Sequence, residues 1–454
     1  MKRVTSRAKI AVIGISGLLV AGIAVPSAFG TTDKSDPAAD GGRRPGAELS
    51  VTAGESESES GSPSASATIS RPSDRRGPNT LKSKDVTLSS YDAEDGRAVL
   101  RRKDRRGKSA GVEVREGDVI ASPPTKSAPA GALVKVKDVT SRDGGKTELR
   151  TSRANLTEVF GGAKADGKVP VSPSAWKVDP LVKGLDVERG AAKAGRDAKG
   201  SDLHLDFDTE LPDGDESDQE PLPQVDGYLD ISPKVDFSYD GHGSSDPADA
   251  TASIGVGADY KAGWTVNGTV EPDFARRVPV AEVSAHPVIM VGPVPVVVTV
   301  KLTLVLKVQA DGRIRMDVQK DVNGTVKVGT RYAKESGWEA DNQADGTTLP
   351  GGRADISGEG QLRTALGPEL DVSLYDTVGV TAFLGPYLRA TAQVPQQTPG
   401  AAADGRGTWQ LHGGLTLASS LYAQLPFVVI GNRPSKRIDF PPITREWFIT
   451  KGEF

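Results

Sequence analysis

The chain contains no cysteine. Disulfides, thiol catalysis, cysteine-ligated metals and a lipidated N-terminal cysteine are all excluded, even in an oxidising compartment. Aromatic residues are also scarce, with 5 Trp, 8 Tyr and 10 Phe in 454 residues, which argues against a carbohydrate platform built on stacked rings. The only histidines are His204, His242, His286 and His412. None lies at metal-ligand spacing from another, so a metal site would need convergence in the fold. The net charge is only −4, too small to supply a global field for nucleic acid. No phosphate-cradling glycine loop, dinucleotide fingerprint or kinase signature occurs. No cofactor is expected.

The N-terminus carries a targeting pattern. Lys2, Arg3, Arg7 and Lys9 precede an apolar run at residues 10–25, followed by Pro26 and the small-residue exit Ala28-Phe29-Gly30. Residues 1–30 read as a signal peptide, which implies a secreted chain whose membrane contact is transient. The alternative is a retained anchor, for which the run is short against the ~20 residues of a span. Residues 31–83 have no hydrophobic period and include an alternating Glu/Ser tract from Glu55, so a disordered Ser/Pro/Glu-rich segment is expected.

Ordered sequence begins near Asp85, where short β-branched runs alternate with polar turns. Asp92 to Gly96 and Arg142-Asp143-Gly144-Gly145 read as hairpin turns. Residues 155–160 read as a short helix capped by Thr151 or Ser152 and stopped by Gly161-Gly162. Residues 84–176 are therefore expected to form a small β-domain with one helix. Residues 177–225 read as a charged connector, with a strand possible at residues 203–208.

The clearest pattern lies at residues 294–309. Val296, Val298, Val300, Leu302, Leu304, Leu306 and Val308 occupy one parity, whereas Thr299, Lys301, Thr303 and Lys307 occupy the other. A period of two with β-branched side chains is a strand with one buried face. Ala310-Asp311-Gly312 is expected to reverse the chain in a three-residue loop, which sets Val308 opposite Ile314 and Leu306 opposite Met316. Gly292-Pro293, Gly367-Pro368 and Gly385-Pro386 each precede an alternating run, where proline marks a strand start or edge. Residues 226–454 thus read as a long-stranded antiparallel sheet or sandwich. The fold class is mainly β.

Two stretches resemble a recurring segment of large secreted bacterial β-proteins. One runs from Pro287 through Gly292-Pro293 to Gly312; the other begins at Gly367-Pro368 and ends at Gly385-Pro386-Tyr387-Leu388. Residues 113–160 are similar to the small domain that usually accompanies that segment. The resemblance implies export and β-architecture, and carries over no activity and no catalytic residue.

Arg101, Arg102, Lys103, Arg105, Arg106 and Lys108 form the one dense basic run. It can meet an anionic surface at short range, or serve as a charged hairpin tip that discourages edge pairing. It lacks the interleaved aromatics of a nucleic-acid site. Asp213, Asp215, Glu216, Asp218 and Glu220 miss the calcium-loop pattern and read as solvated charge. Gly241-His242-Gly243-Ser244-Ser245 lacks a strand–Ser–helix elbow and reads as a turn. The expected function is a non-enzymatic structural or interaction protein, extracellular or at the cell surface. Its expected partner is an anionic wall polymer or another envelope protein. The alternatives are an extracellular hydrolase with paired carboxylates, and a carrier whose two-sided apolar strands line a lipid groove.

Overall fold

The computed structural model describes residues 47–54, 66–71, 80–83, 86–102, 112–189, 203–210, 224–243, 249–348, 353–394, 406–423 and 437–454. The signal segment, the Glu/Ser tract, Lys103, Arg105, Arg106, Lys108, residues 213–220 and Ser244-Ser245 lie outside them.

The described chain is mainly β, with one short helix. Two short strands come first, β1 (Glu48–Leu49) and β2 (Val51–Ala53). Seven more follow: β3 (Thr68–Arg71), β4 (Thr80–Ser83), β5 (Val86–Asp92), β6 (Arg97–Arg102), β7 (Val119–Ser122), β8 (Ala132–Asp143) and β9 (Lys146–Arg153). After helix α1 (Leu156–Phe160) come β10 (Lys164–Pro170), β11 (Lys177–Pro180), β12 (Asp186–Arg189) and β13 (Leu203–Glu210). The long strands are β14 (Gln224–Asp240), β15 (Thr251–Val270), β16 (Ala275–Ala285), β17 (Val288–Val291) and β18 (Val294–Ala333). The chain ends with β19 (Gly337–Ala340), β20 (Gln343–Thr348), β21 (Ala354–Leu374), β22 (Val378–Gln393), β23 (Thr408–Ala423), β24 (Ile438–Asp439) and β25 (Ile443–Glu453).

Strands β3 to β9 form a seven-stranded antiparallel sheet in the order β4-β3-β7-β8-β9-β6-β5. The other eighteen form one large sheet. The smaller sheet therefore starts inside the stretch read as disordered and ends before the helix. The larger one takes up β1 and β2, and also β11 to β13 from the stretch read as a connector. Runs of two to four residues show no period of their own. They are recruited by pairing, as β1 is by β10 and β2 by β17. Helix α1 is capped by Asn155, whose backbone N–H donates to Glu158 Oε2 at 2.9 Å; Thr151 and Ser152 belong to β9.

Strand β18 organises the large sheet. Its even-numbered side chains are buried from Val296 through Val308 and onward through Ile314, Met316 and Val318. Burying each Val or Leu contributes roughly 1.5–3 kcal/mol, so a one-residue slip is strongly disfavoured. The chain does not turn back at residues 310–312. Residues 300–309 pair with β16, residues 314–332 pair with β15, and β21 runs unbroken beside residues 298–318. A three-residue hairpin and a strand running straight on place the same residues inside, so parity alone could not separate them.

The strand bends without breaking its ladder. Gly312 (φ 101°) faces Gly360 (φ 138°), with Gly358 (φ 115°) two residues along and Gly268 (φ 146°) on β15. A Cβ on Gly312 would run into the Glu359 carbonyl, and one on Gly360 into the Asp311 carbonyl. This glycine crease folds the sheet onto itself. Val300 and Leu302 line the same interior void of about 40 Å³ as Val326 and Val328. Those two stretches lie about 80 Å apart along an extended strand. Trp264 Nε1 of β15 donates to Thr364 Oγ1 of β21 across this interior at 3.1 Å.

Gly367-Pro368 and Gly385-Pro386 also differ from expectation. They lie within β21 and β22, where the ladder between Ala365↔Tyr387 and Glu369↔Phe383 is interrupted. Proline has no N–H to give, and a Cβ on Gly367 would strike the Leu384 carbonyl. Gly292-Pro293 does precede its strand, as the two-residue turn between β17 and β18.

The two sheets share a core. On β7, Val119 and Ala121 join the large cluster while Ile120 joins the smaller one. Thr68 Oγ1 donates to the Pro293 carbonyl, and Val297 of β18 lies against Gly131.

Candidate functional sites

The basic run begins on β6, where Ala98 and Leu100 face the small core and Arg97 and Arg101 face solvent. On the neighbouring β9, Thr147 and Leu149 point inward while Lys146, Glu148 and Arg150 point outward. The register sets Arg97 directly opposite Arg150 and Arg101 directly opposite Lys146. Like charges in direct opposition across two strands destabilise a sheet.

Arg97 has a carboxylate partner, Asp95, at 2.7 Å. Among the described residues, Arg101, Arg102, Lys146 and Arg150 form no ion pair. Asp143 and Asp138 of β8 stand beside Lys146 and Arg150 in register, and Glu148 lies between the two cation pairs opposite Val99. Lys327, by contrast, sits 2.9 Å from Asp236 and 2.7 Å from Asp341. Of the six basic residues expected at the site, Arg101 and Arg102 lie at the end of β6 and are exposed. The fold adds Arg97, Lys146 and Arg150 to them. The hairpin at residues 142–145 was legible, but the adjacency of β6 and β9 depends on sheet order.

A second site lies on the outer face of the large sheet. A cleft of about 600 Å³ is lined by side chains of β18, β21, β22 and β23 and by the Arg437-to-Pro442 segment. Glu369 and Asp371 stand two residues apart on β21 and therefore share a face. Hydrogen bonds from Arg277 and Lys307 hold the Glu369 carboxyl below the usual carboxylate range. Burial pushes Asp371 upward, although the Tyr422 hydroxyl donates to it and Lys301 lies near. Thr381 and Ser420 hydroxyls lie 2.8 Å apart beside it. The Phe383 ring is covered by Lys307, whose Nζ is 3.6 Å from the ring centroid, and ring atoms lie close beside Gly385.

The histidines do not converge. His204 on β13 contacts Asp230, His412 on β23 meets Phe448 edge-on, His242 lies in the turn after β14, and His286 lies between β16 and β17. Among the described residues, no three metal-ligating side chains are placed to hold an ion. No protein-family model, curated protein or solved structure matches the chain.

Proposed function

We propose that this chain is a secreted, non-enzymatic β-scaffold of the cell envelope that grips an anionic wall polymer through the cation rows of β6 and β9. The observation that carries the reading is the opposition of Arg97 to Arg150 and of Arg101 to Lys146, with three of the four forming no ion pair among the described residues, although Asp138 and Asp143 stand in register beside Arg150 and Lys146. A bound polyanion removes the repulsion that the bare sheet must tolerate. Export is supported by residues 1–30, and by the resemblance of residues 287–312 and 367–388 to segments of secreted bacterial β-proteins.

Among the described residues, the interior void lined by Val300, Leu302, Val326 and Val328 supports a scaffold over a lipid carrier. Its volume of about 40 Å³ leaves room for little more than one or two waters. Divergent pKa values at Glu369 and Asp371 are the pattern of an acid–base pair, which is what favours a hydrolase as the second reading. Against it, Glu369 is committed to two cations, which weakens it as a base.

The test is co-sedimentation of the full chain with isolated bacterial walls, intact or chemically stripped of their phosphodiester polymer. Retention on intact walls and release from stripped walls is the expected result. Equal pelleting with both, or with neither, overturns the reading.

A further inference from the structure

The outer cleft holds a second array, on a different sheet from the cation rows. Lys301, Asp371, Thr381, Ser420 and Asp439 are successive partners across β18, β21, β22, β23 and β24. They form one row across the strands on a single face, where Lys301 and Asp439 are exposed, Asp371 and Thr381 half-buried, and Ser420 buried. Neighbouring strands lie ~4.8 Å apart, so the row spans about 19 Å and repeats at close to the length of one pyranose unit.

From this row we infer a binding site for a linear, uncharged polysaccharide chain, laid across the strands with one sugar over each. The row alternates what sugar hydroxyls need. Lys301 donates, Asp371 and Asp439 accept, and the Thr381 hydroxyl, positioned by the buried Ser420 hydroxyl 2.8 Å away, does either. The ion pairs now made by the end groups, Lys301 with Asp376 at 3.5 Å and Asp439 with Arg437 at 3.0 Å, are exposed and exchange readily for ligand contacts. Asp371 is the anchor. It is half-buried, takes the Tyr422 hydroxyl on Oδ1, and gains a second donor when a sugar hydroxyl reaches it.

Recognition here rests on hydrogen bonds without ring stacking, because Lys307 covers the Phe383 ring. That agrees with the scarcity of aromatics. The cleft volume of about 600 Å³ is in the usual range for a ligand site. The balance of one cation against two carboxylates along the row distinguishes its ligand from the polyanion assigned to β6 and β9, so either site can fail without the other.

The experiment is calorimetric titration of the full chain with cello- and chito-oligosaccharides of two to six sugars. Affinity should climb with length and level off near five sugars. Thr381→Val combined with Ser420→Ala should weaken the longest oligomer about tenfold, whereas Arg101→Gln with Lys146→Gln should leave it unchanged. Asp371→Asn keeps the side-chain shape and should also weaken it. Absence of binding, affinity independent of length, or full affinity in the Thr381/Ser420 variant overturns the inference. Recovery of shortened oligomers overturns the binding-only assignment in favour of hydrolysis.

Discussion

Glu369 and Asp371 lie on one face of one strand, yet their surroundings pull them in opposite directions. Hydrogen bonds to Arg277 and Lys307 stabilise the ionised form of Glu369. Its contribution to stability is present above the ordinary carboxylate range and is lost as pH falls through its lowered pKa. Asp371, raised by burial, has the reverse sign: its contribution is present at acid pH and is lost as pH rises through its raised pKa. Glu369→Gln should therefore flatten the acid side of the melting-temperature profile. Asp371→Asn should raise the melting temperature near neutral pH and leave it unchanged well below the carboxylate range. Thermal melts across pH read both, and parallel profiles for the two variants would refute the assignment. Neither residue could be picked from the sequence, where 60 acidic residues offer countless pairs. What singles them out is the arrival of Arg277, Lys307 and Tyr422 from three other strands.

At the scale of elements, β18 illustrates what period and parity can and cannot decide. The even-numbered apolar row was legible, and the strand lies where it predicts. The turn at residues 310–312 was not decidable from that row, because β16 and β15 share one long partner instead of a hairpin. The glycines themselves were visible. Their role as a crease depends on Gly312 and Gly360 falling opposite each other in the fold. Gly312→Val should cost roughly 1–3 kcal/mol from backbone conformation alone, before the clash with Glu359 is counted. Urea unfolding measures it. A change within a few tenths of a kcal/mol would mean that the crease tolerates a side chain. The hairpin at Gly144-Gly145 was the opposite case, with two left-handed glycines between Asp143 and Lys146 as the sequence pattern required.

Across the whole molecule, two sheets meet through apolar residues of β7 and β8 and a hydrogen bond to the β17–β18 turn, although the sequence reads as two separate regions. Residues such as Ile120 and Ala121 alternate between two cores, a pattern that looks like a uniformly apolar run until both partners are known. The same dependence on sheet order hid the cation rows, since Arg97 and Arg150 are distant in sequence and directly opposed in space. An electrostatic grip at these rows has one direct signature. Wall binding should weaken steadily as salt rises from about 50 to 500 mM, because screening shortens the reach of each charge. In the Arg101→Gln, Lys146→Gln, Arg150→Gln variant, binding should be weaker at every salt concentration and its salt dependence shallower. Wild-type and variant curves that superimpose would contradict the account.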